Sequence, residues 1–137
     1  APFRAMADLP MGMTAHVVFD ALDPEAPATT SAAAIRAIRE EIGFDGLLMT
    51  DDLDMKALAG TPAERASASI AAGCDVVLHC NGSRAEMQTT VAVVPELTGD
   101  ALRRADAALA ARGAPQDFDP ARADARLASL SGEGADV

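Results

Sequence analysis

The sequence predicts an α/β fold, and three observations carry that expectation. Three short apolar runs, residues 11–15, 46–50 and 76–78, alternate with amphipathic stretches of helical period. With Met13, Gly46 and Val76 as markers, the units recur after 33 and 30 residues, the length of one strand-plus-helix unit. The runs are continuously apolar, as in strands buried on both faces of a parallel sheet. Three parallel strands leave two open edges, whereas a closed (β/α)8 barrel takes about 250 residues. The 137 residues are therefore expected to be the carboxyl-terminal part of a TIM barrel, about its last three βα units. Residues 1–112 would belong to the barrel, and 113–137 would form a partly helical extension with a frayed end.

The elements follow in order. His16 stands at the tip of the first run, with Val17, Val18 and Phe19 behind it, and residues 23–30, rich in Pro and Thr, read as a loop. From about Ser31, Ile35, Ile38 and Ile42 fall on one helical face and Arg36, Arg39 and Glu40 face away, until Gly43 supplies a left-handed cap. The second run ends in Asp51 and Asp52. Its helix opens on Thr61-Pro62-Ala63-Glu64, a capping box with Pro at the first helical position, and stops at Gly73. The third run ends in His79-Cys80-Asn81-Gly82 and leads to a helix over about residues 84–94 that Pro95 helps to end. An Ala-rich helix runs from after Thr98 to about Arg112, and a short helical stretch lies near residues 121–130.

Composition bounds the function. Hydrophobic residues make up 50% of the chain, but 32 residues are Ala, so the core is modest and helix-rich. Twenty-one acidic against eleven basic residues give a net charge of -10, the wrong sign for wrapping a nucleic acid or docking on anionic lipid. No apolar run approaches membrane-spanning length, and the start lacks a signal-peptide layout, so a cytoplasmic location is expected. Cys74 and Cys80 are expected as buried thiols, not as a disulfide. No metal and no cofactor is called for.

Chemistry in a parallel α/β fold gathers beyond the carboxyl ends of the strands. Those positions hold His16, then Asp51 and Asp52, then His79, Cys80 and Asn81. Each has a plain reading beside the functional one: an acid after a strand can cap a turn, a rim histidine can bond a carbonyl, and Asn81-Gly82 is an ordinary turn signal. By residue type alone, Met49 and Met55 are packing residues. Successive side chains of a strand point to opposite sides, so one of Asp51 and Asp52 works and the other is its neighbour. A single carboxylate there can be a nucleophile, a general base or a metal ligand.

Four segments are more specific. Met13-Thr14-Ala15-His16, Glu41-Ile42-Gly43-Phe44-Asp45-Gly46, Thr50-Asp51-Asp52-Leu53-Asp54-Met55 and Ala72-Gly73-Cys74-Asp75-Val76-Val77-Leu78 resemble, in order and spacing, the carboxyl half of bacterial β-N-acetylhexosaminidases of glycoside hydrolase family 3. The match covers about residues 1–95. The resemblance implies a retaining mechanism in which Asp51, directly after Thr50, attacks the anomeric carbon to form a covalent glycosyl-enzyme. It gives Asp52 no direct role, and takes His16 and Met55 as substrate-binding residues. The implied substrate is a GlcNAc-containing muropeptide or chitooligosaccharide, cleaved in cell-wall recycling.

One departure is large. Such enzymes carry a Lys-His-Phe-Pro-Gly-His-Gly segment and an Asp-x-His loop that supplies the acid/base group, and neither exists here. The isolated chain is therefore expected to be inactive. Two other readings stand beside this one: a non-catalytic half-barrel that self-associates through open sheet edges, and a Mg-dependent phosphatase of the haloacid dehalogenase type using Asp52-Leu53-Asp54.

Overall fold

A computed structural model describes residues 2–131. Its centre is a three-stranded parallel sheet of β1 (Met11–Met13), β4 (Leu47–Asp52) and β5 (Val76–Leu78), with β4 in the middle. The register pairs Met11 with Leu47 and Met13 with Met49 on one side, and Met49 with Val76 on the other. The three apolar runs pair in parallel as expected, but only the central β4 is largely buried, β1 and β5 at the sheet edges being exposed or half-buried; β4 extends far enough to include Asp51 and Asp52.

Helices follow the strands. Ser31 caps α1 (Ala32–Arg36) by accepting the Ala34 N–H at 3.1 Å. The same chain winds on as a wider π-helical stretch, Ala37–Ile42, closed at Gly43 with φ 81°. Both halves of the Thr61/Glu64 capping box are made in α2 (Pro62–Ala72), which stops at Gly73 with φ 113°. A second capping box, Ser83/Glu86, spelled by the same Ser/Thr-x-x-Glu pattern, starts α3 (Arg84–Val91). Beyond it lie α4 (Gly99–Ala110) and α5 (Pro120–Ser131), and no residue of α5 is buried. Among the described residues no helix is long and apolar enough to cross a membrane.

Two expectations need correction. Residues expected as loop contain β3 (Asp23–Pro27), which pairs antiparallel with β2 (Val18–Phe19). The Asp23 carboxylate makes this possible: it accepts the Glu25 and Ala26 N–H groups and the Ser31 hydroxyl, tying the prolines into a fixed turn beside helix α1. Cys80 is exposed, because β5 ends at Leu78 and the chain has already turned outward. Cys74 is buried as expected, and both are free thiols.

The core has two parts. Ile35, Phe44, Leu48 and Cys74 form one, with Ile38, Ile42 and Ala72 against it; Leu53, Leu58 and Ala66 form the other, with Val77 and Val94. Ion pairs close the amino-terminal end of the sheet. Arg39 donates to the Phe44 and Gly46 carbonyls and to Asp75, while Arg104 of α4 bridges Asp75 and Asp45. Arg103 and then Arg104 pull the Asp45 carboxyl down to about 2.

Candidate functional site

Because the strands are parallel, their carboxyl ends share one edge of the sheet, and the polar residues collect there. Asp51 and Asp52 close β4, His16 comes three residues after β1, and His79 follows β5. The β4–β5 register shifts between Met49 and Asp52, where β4 carries one more residue than β5. This bulge bends the backbone at Thr50 and Asp51, and the buried Thr50 hydroxyl accepts the Leu78 N–H there at 2.9 Å. Asp51 is half-buried. Its Oδ1 accepts the Asp52 N–H at 2.8 Å, and its Oδ2 takes no protein hydrogen bond among the described residues. One oxygen is fixed and the other is available.

His16 is held on both sides of its ring. Nε2 lies 2.9 Å from the Asp52 carbonyl oxygen and Nδ1 lies 2.7 Å from the Thr29 hydroxyl, which lies 2.9 Å from the Thr14 hydroxyl. Thr14 and Thr29 are both buried. Neither ring nitrogen is left over for a ligand.

Asp52 is tied to the end of β5. Its Oδ1 accepts the Cys80 and Asp54 N–H groups and its Oδ2 accepts the Asn81 side-chain amide. These bonds, that from Cys80 foremost, hold its carboxyl below the ordinary value. Asp54 accepts His79 Nε2–H at 3.0 Å and the Asn81 N–H at 3.0 Å. With their oxygens so engaged, Asp52 and Asp54 are a strap between strands, which argues against the phosphatase reading. The His79 ring is packed where a Cβ on residue 82 would stand, so Gly82 has room for no side chain, and His79 Nδ1 is buried without a partner among the described residues. The Cys80 thiol is pushed up by partial desolvation and by the Asp52 charge.

Met55 is exposed in the turn after β4, whose shape is held by Arg65 of α2 donating to the Leu53 and Met55 carbonyls. Two surface concavities lie elsewhere, one around Phe118 and Arg126 and one around Pro10, Asp45 and Arg104; Asp51 lines neither. Among the described residues, no group of three or more His, Cys, Asp and Glu side chains is arranged to hold a metal ion.

The structure therefore brings His16, Asp51 and Asp52 into one bonded group and joins Asp54 to His79 beside it. Sequence reasoning missed Thr29, the bond between Asp54 and His79, and the strap function of Asp52. Thr14 had a signal, its place in the Met-Thr-Ala-His run, whereas Thr29 sits in a loop where a threonine carries no distinctive pattern.

Comparison with known proteins places the chain in a family. A Beta-hexosaminidase of Chromobacterium violaceum is 45% identical over 84 residues, covering 58% of this chain and 24% of that protein. A Beta-hexosaminidase of Bordetella avium is 33% identical over 130 residues, covering 92% of this chain and 36% of that protein. The chain thus spans between a quarter and somewhat over a third of these relatives. Among solved structures, NagZ from Neisseria gonorrhoeae in complex with N-trifluoroacetyl-D-glucosamine superposes with a TM-score of 0.62 at 30% identity, covering 98% of this chain and 38% of that one. Residues 1–110 match the Glycosyl hydrolase family 3 N terminal domain, and with the parallel sheet and the Thr50-Asp51 strand end in place, the chain belongs to glycosyl hydrolase family 3.

Proposed function

We propose that the chain is the carboxyl-terminal part, about the last three βα units, of the (β/α)8 barrel of a retaining exo-β-N-acetylglucosaminidase. Residues 1–112 form the barrel portion and 113–137 an extension. The observation that carries the reading is Asp51: at the end of the central strand, with Oδ1 anchored and Oδ2 free of donors among the described residues. The family, the relatives' names and the amino sugar held by the Neisseria gonorrhoeae protein support the substrate class.

In the complete barrel, Asp51 Oδ2 forms a bond to the anomeric carbon as the bond from that carbon to the leaving oxygen breaks. The leaving oxygen takes its proton from an acid supplied outside this chain. Water, deprotonated by the same group, then releases the sugar and restores the Asp51 carboxylate. Met55 offers its exposed side chain to the sugar. Any contact of His16 with substrate runs through the ring carbons, since both nitrogens are engaged. The substrate is a GlcNAc-containing muropeptide or chitooligosaccharide met in the cytoplasm during cell-wall recycling.

Trapping tests this. A fluorinated GlcNAc analogue that forms its ester quickly and loses it slowly should label Asp51 in the complete enzyme, read by peptide mass spectrometry. A label on another residue would refute the assignment.

A further inference from the structure

We propose that His16 is a positioning residue for the nucleophile, acting through the main chain of Asp52. The proposal rests on the reading of Asp51 as nucleophile and adds what holds that carboxylate still.

The argument starts from hydrogen-bond direction. A carbonyl oxygen only accepts, so the 2.9 Å contact to the Asp52 carbonyl requires His16 to carry its proton on Nε2. When the ring is neutral, Nδ1 accepts from the Thr29 hydroxyl, and Thr29, having spent its proton, accepts from Thr14. In that form every direction in the chain Thr14, Thr29, His16, Asp52 follows from the Asp52 carbonyl. Both hydroxyls are buried, so water does not compete for them. The Thr29 main chain is anchored as well, by the Cys74 thiol at 3.7 Å from its carbonyl.

Asp52 is then held at each of its polar groups. His16 takes its carbonyl from the β1 side, while Cys80 and Asn81 take its carboxylate from the β5 side. What remains is its N–H, which points at Asp51 Oδ1. Where that N–H points fixes the nearer oxygen of Asp51 and hence the line along which the free oxygen attacks. The carbonyl that His16 holds belongs to the Asp52–Leu53 peptide and the N–H to the Asp51–Asp52 peptide, so the two are coupled through the backbone dihedrals at Asp52. Freeing the carbonyl lets those dihedrals shift, and a misplacement of the nucleophile near 1 Å can cost about 100-fold in rate.

The test uses the full-length enzyme carrying this segment, with His16→Ala, His16→Gln and Thr29→Val. Single-turnover glycosylation by an aryl GlcNAc substrate is measured beside KM. His16→Ala should slow glycosylation by about 10- to 100-fold with KM changed less than about threefold. Gln can present an N–H at similar reach and should recover most of that loss, and Thr29→Val should fall between wild type and His16→Ala. Nitrogen-15 spectra of wild-type enzyme should show the Nε2–H tautomer for His16. An unchanged rate, a rise in KM alone, a Gln variant no better than Ala, or an Nδ1–H tautomer would each overturn the proposal. If His16→Ala fails to fold, Thr29→Val and the tautomer decide the matter. Trapping separates the two readings: a label on Asp51 with indifferent variants sinks the His16 role alone, and a label elsewhere sinks both.

Discussion

Replacing Asp75 by Ala should be among the most damaging single changes at the far end of the sheet from Asp51. The Asp75 side chain is 5% exposed. Its Oδ2 accepts from Arg39 at 2.6 Å and from the Leu48 N–H at 2.8 Å, and its Oδ1 accepts from Arg104 at 3.0 Å. Breaking a buried ion pair by removing one partner costs about 3–5 kcal/mol, because the other charge stays behind without compensation. Both arginines here keep other acceptors: Arg39 the Phe44 and Gly46 carbonyls, Arg104 the Asp45 carboxylate. That places the expected loss near the lower end, about 3 kcal/mol, read as a fall in unfolding free energy by urea titration of the full-length protein. Local exchange adds a second readout. The Leu48 amide should exchange faster in Asp75→Ala, whereas Asp75→Asn keeps an oxygen for that amide and should protect it while still losing about 2 kcal/mol from the missing charge. A loss below about 1 kcal/mol in Asp75→Ala, with Leu48 exchange unchanged, would refute the account.

Four further outcomes are expected. Asp51→Asn should fold normally and lose the glycosylation step, while Asp52→Ala should weaken the strap to Cys80 and Asn81 yet retain measurable turnover; full activity of Asp51→Asn in a chromogenic assay would rule out the nucleophile role. The 137-residue chain alone should be inactive and should associate, because β1 and β5 each present an edge the described residues leave unpaired; a monodisperse monomer in size-exclusion chromatography would count against it. A thiol reagent near neutral pH should modify Cys80 and spare Cys74, whose burial raises its thiol to about 12; equal labelling in the folded protein would contradict that burial. The Asp45 carboxyl, held at about 2 by Arg103 and Arg104, should titrate there by NMR. Since its folded value lies below the ordinary 3.8, the stabilisation is complete above that ordinary value and fades as pH falls through about 2, and Arg103→Gln should move the midpoint upward.

The fold was legible where one residue type has one physical use. Continuous apolar runs announced the parallel strands, although only the central one is largely buried, and Thr61, Glu64, Gly43 and Gly73 announced their helix ends because capping geometry admits few substitutes. The β2–β3 hairpin was not legible, since Pro24 and Pro27 argue against a strand until Asp23 is seen tying the turn. At the site, Asp51 was visible as a carboxylate at a strand end. The group around it was not, because it joins residues 13 to 36 positions apart through hydroxyls and carbonyls that no spacing rule singles out. Asp75 shows the same limit: it looked like part of an undistinguished Ala-Gly-Cys-Asp run, yet it ties β4, α1's continuation and α4 together.

The π-helical stretch Ala37–Ile42 makes this part of the chain tolerant of a change in length as well as of much of its spelling. A π turn amounts to one residue added to an α-helix. Removing one residue at 40 or 41 would let the helix rewind to the α form with its flanking segments nearly in register, because the wider π turn takes up one residue more over almost the same sweep. Arg39 sits inside the stretch and reaches forward to Phe44, Gly46 and Asp75, so a gap that spares it leaves its guanidinium within reach of all three. Glu40 and Glu41 are exposed, and replacing either side chain should matter little. Among natural variants of this segment, a single-residue gap at 40 or 41 should therefore appear with Arg39 and Asp75 unchanged, while point changes at 40 and 41 accumulate freely.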